Sequence, residues 1–259
     1  MKIKVADITP YIWGAANKGF PLLQTNNLQI IEEEMEPNTR EQLHFHHQAQ
    51  QFFYVLDGCG QFFLEGKMYE LLPGEGIAVA SHQLHYIENT HPTTLRFLVI
   101  SSSPASACRV NIIPFSTDHR EAVKLLNTEW LEKYFYLEPG DVVALSNPET
   151  VIIDKGGKIF YAEYQGTIVG TASLLRIDDT VYELGKMAVT QSAQGLGIGK
   201  ALLKHCIFEA QSKKIAAIIL YSNTILVRAI TMYRQFGFEE IQLESGLYER
   251  ANIKMKLML

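Results

Sequence analysis

Over its first hundred residues the chain alternates short apolar runs with turn residues. Leu28–Glu34, Gln51–Leu56, Gln61–Leu64, Gly76–Ala80, His85–Glu88 and Leu95–Ile100 are rich in β-branched and aromatic residues, and Asp57-Gly58 and Pro73-Gly74-Glu75-Gly76 punctuate them. Many short strands without a helical period predict a sandwich or barrel. The period then changes. Val123, Leu125, Leu126, Trp130 and Leu131 fall at helical spacing within Thr117–Tyr136, with Asp118 as the candidate N-cap. Strands are expected at Ile159–Tyr164, Ile168–Arg176 and Tyr182–Val189. A glycine-rich turn, a helix over Gly199–Ser212, a strand at Ala216–Tyr221, a helix over Ile225–Phe236 and a closing strand pair complete an α/β pattern. No internal repeat is visible.

Composition supports two folded domains. The 259 residues are 47% hydrophobic, 10% aromatic and 20% charged, which excludes a disordered or collagen-like chain. No apolar stretch has the length of a membrane span, so a cytoplasmic protein without a membrane partner is expected. Cys59, Cys108 and Cys206 are odd in number and far apart, which argues against a disulfide framework. Charge divides unevenly: residues 1–108 hold 6 Lys and Arg against 11 Asp and Glu, and the remainder holds 17 of each. Neither part has the basic excess that nucleic-acid binding needs. Six of the eight histidines lie between His44 and His91. The small, polar segment Ser101–Ala107 separates the two compositions, placing the domains at 1–105 and 109–259.

Within a strand, residues two apart share a face, so His44-Phe45-His46 presents two imidazoles side by side. Together with His85 they would suit zinc, iron, nickel, manganese or copper. The order His44-x-His46, Gln51, Gly58, then Gly74, Ala80-x-His82, His85 and Asn89 resembles the two motifs of the cupin superfamily over about residues 25–103. That resemblance implies a small all-β barrel holding a divalent metal (Zn, Fe, Ni or Mn) on His44, His46, Gln51 and His85. Three positions depart in backbone motif: Asn38 replaces a glycine, and Ala80 and His82 replace a proline and a glycine. Gln51 stands where the family has a glutamate. A neutral ligand leaves the metal its full charge and lowers its affinity. The opposing reading is a metal-free barrel that binds a small molecule or only satisfies its own polar groups.

In the second part, Gln194-Gly195-Leu196-Gly197-Ile198-Gly199-Lys200 lies between a strand and an amphipathic helix. Glycines permit a tight turn, and the unpaired N–H groups of a helix start attract an anion. A dinucleotide fingerprint would follow the first strand of its unit, whereas these glycines follow three strands. Gln194-x-x-Gly197-x-Gly199 is similar to the signature of the GNAT superfamily of N-acetyltransferases. Glu183–Val189, Tyr221–Thr224 and Ala229–Phe238 extend the likeness over roughly 109–259. The resemblance implies a mixed, splayed sheet flanked by helices and an acetyl-CoA cofactor. Its pyrophosphate would lie on the amides of Gly195, Leu196, Gly197, Ile198 and Gly199, beside Gln194 and Lys200, and its pantetheine arm along Met187 and Val189. Tyr233 is implied as the acid that protonates the leaving thiolate and Glu183 is the candidate base. Asn223 resembles a cofactor-contacting Asn, although Leu226 holds the more usual position. His119 and His205 read as ordinary helix residues.

The expected function is acetyl transfer from acetyl-CoA to a small primary amine by direct attack. An amino acid, polyamine or amino-sugar derivative is expected before a protein tail. Two alternatives stand beside it: a metabolite-sensing cupin that regulates the acetyltransferase, and a bifunctional sugar-nucleotide isomerase and N-acetyltransferase with His44 or His46 as acid and base. A homodimer is left open. Gly197→Glu is expected to abolish acetyl-CoA binding in a calorimetric titration, and an unaltered affinity would remove the glycine-turn assignment.

Overall fold

The computed structural model describes residues 2–102, 108–244 and 248–259. Residues 103–107 of the expected linker lie outside the described residues. The chain divides into two units, Met1–Asn111 and Ile112–Leu259.

The first unit is built from antiparallel strands: β1 (Tyr11–Trp13), β2 (Asn17–Gln24), β3 (Gln29–Met35), β4 (Thr39–Arg40), β5 (His44–His46), β6 (Gln51–Asp57), β7 (Gly60–Leu64), β8 (Lys67–Leu71), β9 (Gly76–Val79), β10 (His85–Asn89) and β11 (Leu95–Ser101). One sheet runs β1-β2-β3-β11-β6-β9; the other contains β5-β10-β7-β8, with β4 on β10. Arg109–Asn111, the start of β12 (Arg109–Pro114), pair with β5, so these residues also close the barrel. Alternate residues face inward, as the period of two requires. Met35, Phe53, Val55, Leu95, Phe97 and Val99 from one sheet meet Phe62, Leu71 and Ile87 from the other in a single core. Each such side chain contributes ~1.5–3 kcal/mol on burial.

Two of these strands carry no clear pattern in sequence. In β2 a register shift between Pro21 and Leu23 breaks the alternation, and β8 is exposed at every residue before Leu71. Two of the three motif departures have a backbone explanation. Asn38 and His82 adopt φ of 58° and 65°, the left-handed conformation that glycine takes without steric cost. Asn tolerates it; His82 holds it less comfortably, with its ring stacked 5.9 Å from that of Phe45.

In the second unit a sheet of order β17-β18-β16-β15-β14-β13 is formed by β13 (Lys158–Tyr164), β14 (Thr167–Arg176), β15 (Val181–Val189), β16 (Ala217–Ser222), β17 (Glu239–Ile241) and β18 (Ile253–Met258). Among the described residues of this sheet, β15 and β16 pair in parallel and the other neighbours antiparallel. The helices are α1 (Arg120–Tyr134), α2 (Pro139–Ser146), α3 (Ile198–Ser212) and α4 (Val227–Gln235). Successive residues of β13 serve opposite faces. Ile159 and Tyr161 join Val123 and Leu131 of α1 in one core, and Phe160 packs edge-on against His205 of α3 at 4.4 Å. His205 is thus a half-buried packing residue, with burial pushing its imidazole down to about 4.

Asp118 does not cap α1. Ser116 accepts its N–H at 3.2 Å to cap a single 3₁₀ turn, and α1 begins after His119. The helix α2 has no counterpart in the sequence reading. It is two turns long with Val142 and Val143 exposed, so it shows no amphipathic period, yet Pro139 at its start and the Glu138–Asp141 capping box mark it. Among the described residues, no helix is long and apolar enough to cross a membrane.

Candidate active site and candidate metal centre

Three residue pairs, Val181–Ala217, Tyr182–Ile218 and Glu183–Ile219, hold β15 to β16. Beyond Glu183 the two strands have no further paired residues. On its other edge β15 carries a bulge: Ser173 pairs with Gly185 and Thr171 with Ala188, leaving two residues of β15 opposite one of β14. Lys186 in this bulge has φ of 47°, unusual for a strand lysine.

A cavity of about 150 Å³ lies here, lined by Glu183, Lys186, Tyr221, Tyr233, Tyr248 and Arg250 among others. Glu183 is 5% exposed and accepts the Tyr248 hydroxyl at 2.9 Å. Burial raises its carboxyl above the ordinary range, against the opposing pull of Tyr248, Lys186 and Lys254. Burial and the Glu183 charge push the Tyr248 phenol up in turn, which keeps it a donor. Tyr233, half-buried on α4, points its hydroxyl toward Met187 Sδ at 3.9 Å. Burial, with a smaller effect of Cys206, pushes its phenol up to about 12, so it holds its proton at neutral pH.

Beside the cavity a larger groove of about 810 Å³ is lined by Met187, Val189, Gln194, Gly195, Gly197, Ile198, Gly199, Lys200 and Tyr233. Gly195 and Gly197 take φ of 87° and 83°. Gly197 is the N-cap of α3 and offers no side-chain acceptor, which leaves first-turn N–H groups for a ligand. This cradle fits a pyrophosphate. Tyr233 and Met187 line both spaces. Leu196 lines neither, and Asn223 lines only the smaller one. The Asn223 amide is engaged locally: it donates to Arg250 O at 2.7 Å and accepts from Ile225 N at 3.0 Å.

Sequence reasoning missed the residues around the cavity that come from other elements. Lys186 Nζ lies 2.9 Å from Asp141 Oδ1. Arg250 reaches Asp141 at 2.5 Å and Glu138 at 3.0 Å. Burial alone would raise Asp141, but Lys186 and Arg250 together hold its carboxyl below the usual range. The Glu138–Asp141 capping box is the local sequence signal for two of these residues. Tyr248 and Arg250 lie in the loop before β18 and have none.

In the barrel, His44 pairs with His85 across β5 and β10, and His46 shares their face. The ligand atoms of these three buried histidines lie within 4.8 Å of one another. Nδ1 of His44 and of His85 each sit 2.8 Å from a backbone carbonyl, of Gln42 and Gln83. Each Nδ1 therefore carries the proton and each Nε2 keeps its lone pair. Burial, helped by Arg109 and the neighbouring imidazoles, holds His44 well below its ordinary range, and burial takes His85 down to about 3. Both are neutral, as ligation requires. Gln51 Oε1 lies 2.9 Å from His85 Nε2, while its amide nitrogen is 3.2 Å from Ser101 Oγ. Two lone-pair atoms thus face each other. A shared cation resolves that opposition, and so does turning the amide over. The donor set fits a divalent metal.

The barrel interior also holds groups with no motif signal. Glu33 is 7% exposed and accepts the Tyr11 hydroxyl at 3.1 Å. Burial, and then Glu41, push its carboxyl up to about 8. Arg109 stands opposite His46 in the register and donates to Asn111 Oδ1 at 2.9 Å. In sequence, Glu33 sits within a Glu32–Glu34 run that reads as a charged strand, and Arg109 falls beyond the expected end of the barrel.

Comparison with known proteins gives the class of each unit. The cupin domain family model matches residues 31–101, and the acetyltransferase (GNAT) domain model matches residues 155–240. A solved acetyltransferase of the GNAT family from Staphylococcus aureus Mu50 is 26% identical, with a TM-score of 0.53 over 57% of this chain and 98% of that one. N-acetylaspartate synthetase of Danio rerio is 30% identical over 108 residues, 41% of this chain and 38% of that protein. N-acetyltransferase 8 of Rattus norvegicus is 27% identical over 97 residues, 36% of this chain and 44% of that protein. The chain spans less than half the length of these two curated relatives. It joins a cupin domain to a GNAT acetyltransferase domain.

Proposed function

We propose that the second domain transfers an acetyl group from acetyl-CoA to a small primary amine by direct attack. The observation that carries this reading is that Glu183 and Tyr233 line one cavity, where β15 leaves β16, and that Tyr233 also lines the groove at the start of α3. Acetyl-CoA supplies the activated acyl carbon. Glu183 takes a proton from the acceptor ammonium; the freed amine forms the C–N bond as the C–S bond breaks; Tyr233 gives its proton to the departing thiolate. The amides of residues 195–199 hold the pyrophosphate, and Met187 and Val189 pair with the pantetheine arm as an added strand would. The name N-acetyltransferase 8 of one relative supports the reaction class. A cytoplasmic setting suits three cysteines that form no disulfide among the described residues.

In the barrel, His44, His46, His85 and Gln51 would hold a divalent metal. The convergence of three buried histidines, with ligand atoms within 4.8 Å of one another, supports this reading. A metal there would supply Lewis acidity with no charge neutralised by its ligands.

Glu183 must be ionised to act, and burial displaces its titration upward. kcat/KM is therefore expected to fall as pH drops through a value above the ordinary carboxylate range. Glu183→Gln should cost about 10²–10⁴ in kcat/KM and flatten that limb, and Tyr233→Phe should slow thiol release by about 10² or more. A pH profile unchanged by Glu183→Gln contradicts the role of the base. For the barrel, titration with Co²⁺ should give one bound equivalent with visible ligand-field bands. His85→Ala should remove them, and equal uptake by that variant contradicts the metal reading.

A further inference from the structure

We propose that the acceptor carries a carboxylate beside its amine, as an α-amino acid does, and that Lys186 selects for it; this deepens and rests on the acetyl-transfer reading above. The starting point is Lys186 itself. Its backbone is held at φ of 47° inside a strand, a conformation that persists only when the surroundings fix it and that gathers at functional sites. The bulge it occupies displaces the chain between Gly185 and Ala188 and turns the residue toward the cavity it lines. Its side chain is 9% exposed.

An ammonium has three donors. Among the described residues, the acceptor within hydrogen-bond reach of Lys186 Nζ is Asp141 Oδ1 at 2.9 Å. Asp141 is itself shared with Arg250, which contacts both of its oxygens. The ammonium thus keeps donor capacity at the wall of the cavity. The Tyr248 ring lies 5.6 Å from it, and that phenol binds Glu183 at 2.9 Å.

Charge then reads across the cavity. Asp141 is shared by Lys186 and Arg250, with Glu138 on Arg250, so Lys186 keeps unused donors; Glu183 has no salt-bridge partner among the described residues, and Lys186 and Lys254 only lower its titration. A zwitterionic acceptor matches this order, with its ammonium at Glu183 and its carboxylate at Lys186. A polyamine would set a second ammonium against Lys186. A neutral amino sugar would offer the remaining donors of Lys186 hydroxyls in place of a carboxylate. The size agrees: about 150 Å³ of space corresponds to roughly five water molecules at ~30 Å³ each, room for the head of a small amino acid.

The test is steady-state thiol release by the full chain with acetyl-CoA. Each of the common α-amino acids is compared with its own α-carboxamide and its decarboxylated amine. The expected result is at least a tenfold higher kcat/KM for the acid of the preferred side chain. Lys186→Met should bring the acid-to-amide ratio toward one by raising the KM of the acid more than it lowers kcat, while Lys186→Arg keeps the preference. Transfer to amides or decarboxylated amines as fast as to the acids overturns the substrate class and leaves acetyl transfer standing. A ratio unmoved by Lys186→Met overturns the role of that residue. Thiol release with no amine at all overturns both readings. The wild-type comparison stands by itself if the Met variant does not fold.

Discussion

The chemistry of the second domain hangs on where β15 stops pairing with β16. A parallel pair that continued would bury the backbone of both strands and leave no room between them. Here pairing ends at Glu183, and the bulge opposite Thr171 and Ser173 bends the rest of β15 away. The gap exposes polar strand backbone that an amide-bearing arm can pair with, and it brings Glu183, Lys186 and Met187 to its edges. The glycine turn at 195–197 then places a helix start at one end of the same gap. Each element alone is common; their convergence on one opening is what gives a catalytic reading.

The barrel depends on a different balance. Three imidazoles are buried together, and the low titration of His44 and His85 keeps those two uncharged, which limits the desolvation cost. Two of the rings are fixed in tautomer by carbonyls two residues upstream, so their lone pairs converge without help from other elements. Substituting Gln51 for a carboxylate keeps the oxygen and removes the charge. Glu33 is buried in the same barrel with its carboxylate on the Tyr11 hydroxyl, and Arg109 is close enough to His44 and His85 to lower their titration.

Much of this was legible in the sequence because it is local. His44-Phe45-His46 places two imidazoles on one face by strand alternation, and Gln194-x-x-Gly197-x-Gly199 fixes a helix start by glycine geometry. The α1 and α3 helices follow from their apolar period. What stayed hidden depends on tertiary contact. Lys186 reads as an ordinary strand lysine until the bulge turns it, and Arg250 and Tyr248 come from a loop with no pattern. Arg109 lies past the apparent end of the barrel, yet pairs with β5. The strands β2 and β8 escape notice because a register shift and an exposed face erase their alternation, and α2 is too short to show a period.

The most direct test of the account is a crystal structure of the protein with CoA. The pantetheine amides should pair with the backbone of Met187 and Val189, the pyrophosphate should sit on the amides of residues 195–199, and the sulfur should lie within hydrogen-bond reach of Tyr233 Oη. CoA bound elsewhere, or in this groove with its sulfur remote from both Tyr233 and Glu183, would contradict it.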